Sequence, residues 1–213
     1  MPSSEVSHAL FVTLVAKGDK VDAVSTFLGA GYDLVQAEPE TIQWFGVQYA
    51  DHTPPTFAIF DTFRTEAGRA AHLSGKVAEA LMANAATLLS EGPDIASLNV
   101  FGNKVTGGNT AAGLSVGLRV FLTAKPDKVQ ALREFLLGEL KLVQAEPTTP
   151  VWYALQFGDS NKFAIVDFFA NEEGRNAHLN GKAAKELFAH ADELLATPPD
   201  IVKLNVVAAS VKV

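Results

Sequence analysis

Cysteine is absent from the 213-residue chain. That removes disulfide frameworks, thiolate-bound zinc, iron–sulfur clusters and thiol nucleophiles together. Histidine is scarce. There are five, none paired as HxH or HxxxH, so no metal site is expected. Basic residues are outnumbered, 17 Lys and Arg against 24 Asp and Glu, for a net charge of −7. With no basic run to offset this, nucleic acid is a poor partner, and so is an anionic membrane surface. No apolar run is long enough to span a bilayer. The opening MPSSEVSHAL lacks the basic and apolar regions of a signal peptide, so a cytoplasmic location is expected. Neither GxGxxG nor GxxxxGK[ST] occurs, so neither a flavin nor a nicotinamide cofactor is indicated. What is present is ordinary. The chain is 48% hydrophobic and 19% charged, the composition of a protein that buries a core.

The strongest signal is an internal repeat. LVAKGDKVDAVSTFL (14–28) returns as LTAKPDKVQALREFL (122–136), and LVQAEP (34–39) returns at 142–147. FAIFDTFRTEAGRAAHLSGKVAEAL (57–81) returns as FAIVDFFANEEGRNAHLNGKAAKEL (163–187), and PDIASLNV (93–100) as PDIVKLNV (199–206). The offset is 108 residues before the loop at 52–56 and 106 after it. A unit of about 95 residues suits a small domain rather than a solenoid repeat. We therefore expect domains at 1–103 and 117–213, joined by a Gly/Thr/Ala linker at 104–116.

Each copy parses alike. In the first, LFVTLVA (10–16) reads as a strand. Asp19 is a plausible N-cap, and Val21, Val24, Phe27, Leu28 and Val35 then recur at helical spacing until Pro39. TIQWFGVQY (41–49) alternates as a strand, with Trp44, Gly46 and Gln48 on one face. FAIFDTF (57–63) is a third strand. Thr65 caps a short helix that stops at Gly75, a second helical run covers 76–90, and 95–101 is a last strand. The order β-α-β-β-α-β is the ferredoxin-like split βαβ, an α+β architecture. Its antiparallel sheet has helices on one face only, and the second copy can cover the open face, sheet against sheet.

FAIFDxF, then ExGRxAHLxGK, then a helix and PDIxxLNV resembles the antibiotic biosynthesis monooxygenase family, over nearly the whole chain. In that family two subunits with facing sheets build a dimeric α+β barrel. The resemblance thus implies an intramolecular pseudo-dimer, with further homo-oligomers possible. It also implies a cofactor-independent monooxygenase that oxidises a small phenolic or quinol-type aromatic with O2. Haem-degrading members carry an Asn on the first strand and a Trp after the third-strand acid. Here the first strand has no Asn, and Phe63 and Phe169 take the Trp position.

Both copies keep a polar set inside apolar surroundings: Trp44, Gln48, Asp61, Arg69, His72, Lys76 and Asn99, then Trp152, Gln156, Asp167, Arg175, His178, Lys182 and Asn205. His72 and His178 are the candidate bases for a phenol or hydroquinone. Asp61 and Asp167 are candidate orienters of those rings. Arg69 and Arg175 could stabilise the anion, and Trp44, Gln48, Trp152 and Gln156 could bind a flat ring. Each has a structural alternative: the His as a cation at a helix C-terminus, Arg69 paired with Glu66, the Trp packed in an interface. The alternative for the whole chain is a non-catalytic small-molecule-binding or structural barrel, holding a small aromatic or fatty ligand. Changing both His to Gln is expected to cost about 10²–10⁴-fold in rate, as for a general base, with little change in melting temperature.

Overall fold

The computed structural model describes residues 6–106 and 113–212 of the chain. The repeat folds twice into the same series. The first is β1 (His8–Val15), α1 (Val21–Gln36), β2 (Thr41–Tyr49), β3 (Thr56–Phe63), α2 (Glu66–Leu73), α3 (Lys76–Leu88) and β4 (Asp94–Val105). The second is β5 (Val116–Thr123), α4 (Val129–Gln144), β6 (Val151–Gln156), β7 (Lys162–Phe169), α5 (Glu172–Leu179), α6 (Lys182–Leu194) and β8 (Asp200–Val211). The chain is α+β, as expected. In the first copy β3 pairs antiparallel with β1 and with β2, and in the second β7 pairs antiparallel with β5 and with β6, whose other edge pairs with β4.

Local chemistry accounts for the helices. In α1 the buried residues Val24, Leu28, Gly31 and Val35 recur every three to four positions, one stripe facing the core. Asp19 does not cap it. Lys20 holds the N-cap position without a side-chain cap bond, and Asp19 pairs with Lys20 at 3.2 Å. α2 does begin on its expected cap, with Thr65 Oγ1 accepting the Gly68 N–H at 3.1 Å. In α5 the Asn171 Oδ1 takes that part for Gly174 at 3.0 Å. α2 ends through Ser74, and Gly75 has φ −86°, so it is not a left-handed terminator.

The chain divides into two compact units. One holds the described residues up to Leu98 and from Asn205 on, and the other runs from Asn99 to Leu204. Each unit therefore takes its last strand segment from the opposite copy of the repeat. In the first unit Lys212 N–H donates to Ile42 O at 2.8 Å, and Lys212 Nζ caps the end of α1 through Val35 O and Glu38 O. In the second, Thr106 N–H donates to Pro150 O, and Lys104 Nζ caps α4 through Val143 O and Glu146 O. Of the expected linker 104–116, residues 104–105 end β4 and Val116 opens β5. Residues 107–112 lie outside the described residues.

Within the first unit the helix-facing side of the sheet supplies Leu10, Val12, Leu14, Trp44, Phe57, Ile59 and Phe63 to one core with α1 and α3. The second unit has the matching core around Trp152, Phe163 and Ile165. Into each of these apolar layers the sequence places one aspartate, Asp61 on β3 and Asp167 on β7.

Candidate active site

The two aspartates are fully buried. A carboxylate there is costly unless a partner compensates it, and in both units the partner is the histidine. His72 Nε2 lies 3.1 Å from Asp61 Oδ2, and His178 Nε2 lies 3.3 Å from Asp167 Oδ2. The other ring nitrogen is also engaged. His72 Nδ1 donates to Glu38 Oε2 at 2.5 Å, and His178 Nδ1 donates to Glu146 Oε2 at 2.6 Å. Thr41 Oγ1 and Thr149 Oγ1 donate to the same glutamates at 2.9 and 2.7 Å. Each unit thus carries a carboxylate–imidazole–carboxylate chain, with its histidine only 6–7% exposed.

Glu38 and Glu146 are the residues the sequence reading missed. They sit just past the ends of α1 and α4, and the repeated LVQAEP was their signal. A second signal is the glycine of HLxGK. A Cβ on Gly75 would stand 2.6 Å from Glu38 Oε1, and one on Gly181 2.8 Å from Glu146 Oε1. Glycine is needed there for close approach, since φ is ordinary. It lets the carboxylate reach the first turn of α3, where Val77 N–H donates to Glu38 Oε1 at 3.4 Å. A helix N-terminus favours that negative charge.

These partners set the protonation. Burial opposes the His72 cation, but Asp61 and Glu38 outweigh it and push the ring up to about 10. His178 moves up by the same balance. Burial raises Asp61 despite the ring beside it, and it raises Asp167 to about 7. Burial also works against Glu38 and Glu146, yet the imidazole and threonine contacts hold both below the usual carboxylate range. At neutral pH the His72 ring is an imidazolium with both protons held, and in the second unit Asp167 lies near neutrality.

The other candidates separate. Trp44 lies directly across the ladder from Asp61, and Trp152 across from Asp167. Both indoles are buried. Gln48 is four residues along β2 from Trp44, roughly 13 Å at strand rise. Gln156 is tied to its hairpin, donating to Ser160 O at 2.8 Å. The arginines bond strand carbonyls: Arg69 to Ala9 O and Leu98 O, Arg175 to Gly117 O and Leu204 O at 3.1 Å each. They also pair with Glu66 and Glu172. Among the described residues no cluster of His, Asp and Glu is arranged to hold a metal ion, and no helix is long and apolar enough to cross a membrane.

In the second unit the chain of acids opens on a crevice between sheet and helices. Asp167, His178, Trp152 and Glu139 line it, with Leu187 and Phe188. Its clear volume is about 30 Å³, about one water molecule's share.

No family model and no curated protein sequence matches the chain. Solved structures do. A proposed monooxygenase from Fusobacterium nucleatum aligns with 98% of this chain and 96% of its own, at TM-score 0.86 and 14% identity. An uncharacterized ferredoxin-fold protein from Listeria monocytogenes, related to antibiotic biosynthesis monooxygenases, aligns with 95% of each chain at TM-score 0.57 and 10% identity. The chain shares the ferredoxin-like fold of these proteins. A third protein with this architecture, an anthrone oxidase-like protein, aligns with 98% of this chain and 94% of its own, at TM-score 0.64 and 9% identity. In this chain the fold sets the two acid chains between the sheet and helices of each unit, where the aspartate of the third strand and the histidine of the short helix meet.

Proposed function

We propose that the protein is a cofactor-independent monooxygenase acting on a small phenolic or quinol-type aromatic. One observation carries this reading: a titratable Asp167–His178 pair and the Trp152 indole line the same crevice of the second unit. Removing a proton from an electron-rich phenol raises its reactivity toward O2. The anion then gives electrons to O2 and forms a hydroperoxide at a ring CH ortho or para to its oxygen. Loss of water leaves a carbonyl, so one oxygen stays in the product and the other departs as water. Asp167, near neutrality, takes the ring C–H proton as the hydroperoxide loses water, and the His178 ring supplies positive charge beside the anion. Fold relatives described as a proposed monooxygenase and as anthrone oxidase-like support this reading.

The test is oxygen uptake over a panel of hydroquinones and anthrones, with Asp167→Asn as the control. Uptake with a hydroxylated or carbonyl product, reduced about 10²-fold or more in the variant, is the expected result. The second reading is a binding protein without chemistry. It is favoured by the two carboxylates that occupy both nitrogens of each histidine. Saturable binding without oxygen uptake would select it.

A further inference from the structure

The two units differ at the tryptophan. In the first, Gly31 on α1 and Gly46 on β2 lie against Trp44. A Cβ on either would stand 3.1 Å from the indole, closer than side chains normally pack. The matching residues of the second copy are Glu139 and Ala154. A Cβ at each of these positions crowds the face on which Trp44 rests, so Trp152 must sit shifted from the Trp44 position. Its ring instead approaches Gly102 on β4, with Cζ3 3.7 Å from where a Cβ would be. The residue matching Gly102 in the other copy is Ala208, which packs on the first unit's core. Small residues have been exchanged between the two sides of the indole, and Glu139 fills the space beside it.

Glu139 is an unusual occupant. It is 7% exposed, and its buried Oε2 has no hydrogen-bond partner among the described residues. It lines the crevice with Trp152, Asp167 and His178, and the half-exposed Phe188 forms part of the wall. A buried carboxyl oxygen left unpaired is destabilising, and a ligand hydroxyl would satisfy it.

We propose that the second unit, not the first, carries the ligand site, and that the Glu139 carboxyl in it receives the hydroxyl proton of a small phenol or quinol lying against Trp152. The binding half stands alone, and the proton transfer rests on the monooxygenase reading above. In that step the phenol O–H breaks, a carboxyl O–H forms on Glu139, and the ligand becomes a phenolate without any redox change. The crevice's clear volume of about 30 Å³ is less than an aromatic ring needs, so the site requires Phe188, a half-exposed part of its wall, to move outward. Burial, with Glu186 of α6 beside it, raises Glu139 to about 7. Glu146 adds to this, while His190 and His178 oppose it. Glu139 can therefore both accept and return a proton near neutrality.

The experiment labels the full chain with 5-fluorotryptophan. Its two tryptophans give two ¹⁹F signals, assigned with Trp44→Phe. Hydroquinone is titrated under nitrogen so that binding is read without turnover. The Trp152 signal should shift saturably while the Trp44 signal stays. Glu139→Gln should weaken binding about tenfold or more, the loss of one hydrogen bond to a charged group. Glu139→Gly combined with Ala154→Gly should abolish the shift. Signal dispersion in each variant reports its folding. A Trp44 shift equal to that of Trp152, no shift at either, or unchanged affinity in Glu139→Gln overturns the site. The two proposals fail separately. Binding through Glu139 without oxygen uptake in air removes the monooxygenase reading and keeps the site. Uptake at the wild-type rate in Glu139→Gln removes the proton-transfer role alone.

Discussion

His72 stands between two acids, and its charge is part of what holds the first unit together. Its folded pKa, near 10, is above the ordinary 6.5. The stabilisation it brings is complete below pH 6.5 and drains as pH rises through 10. Glu38, lowered, acts in the other direction: its contribution is present above 4.5 and is lost as pH falls. His178 and Glu146 shift in the same directions. Melting temperature should therefore fall between pH 6.5 and 10, and that fall should shrink in His72→Gln with His178→Gln. Differential scanning calorimetry over this window checks it. The geometry also changes what the double variant does at neutral pH. Gln leaves Asp61 and Asp167 buried without a cation, and breaking a buried pair from one side costs about 3–5 kcal/mol. The expectation of an unchanged melting temperature gives way to a marked loss.

At the scale of elements, the approach of Glu38 to α3 depends on one missing methyl group. Gly75→Ala puts a Cβ onto Glu38 Oε1 and should cost about 1–3 kcal/mol as overpacking does. It should also lower the His72 pKa, because the displaced carboxylate supports the ring less. An imidazole ¹⁵N titration, compared with the wild type, reads that shift directly, and an unchanged His72 would refute the coupling.

The element pattern was legible because each rests on local chemistry. Alternation placed β2 at Thr41–Tyr49, the Thr65 cap placed α2, and repetition doubled every inference. β4 runs past its expected end at 101 to Val105. Its last residues, GNKV, look polar, and they are held by pairs with β6 from Asn99↔Gln156 to Val105↔Val151, far away in sequence. The site was half legible. Asp61 and His72 carry their own chemistry in an apolar stretch, and they meet. Glu38 could not be joined to them by spacing, since its contact spans 34 residues. Arg69 and Gln48 look like site residues in the sequence, but the Arg69 guanidinium serves strand carbonyls and Gln48 sits far along the strand. Glu139 was hidden because it differs from its counterpart, and a reading built on what the copies share passes over what they do not.

For the whole molecule, the exchanged strand segments decide what a fragment can do. A chain cut after Lys104 keeps β1, β2 and β3 but loses the residues from Asn205 on that complete its unit. It also loses the Lys212 bonds to Ile42, Val35 and Glu38. Such a fragment should dimerise or aggregate. Analytical ultracentrifugation that finds a folded monomer of about half the 22.6 kDa mass would contradict this.

The same exchange bears on the order in which the chain acquires its structure as it leaves the ribosome. The described residues between Asn99 and Leu204 form one compact unit, whereas the other unit joins the residues up to Leu98 with those from Asn205 on. Domains commonly fold from the N-terminus forward, at about 5–20 residues per second of synthesis. Here the leading half must wait for the residues from Asn205 on, about 5–20 seconds at that pace. The portion made second is thus the first able to finish, and the portion made first spends that interval with its second strand unpaired on one side.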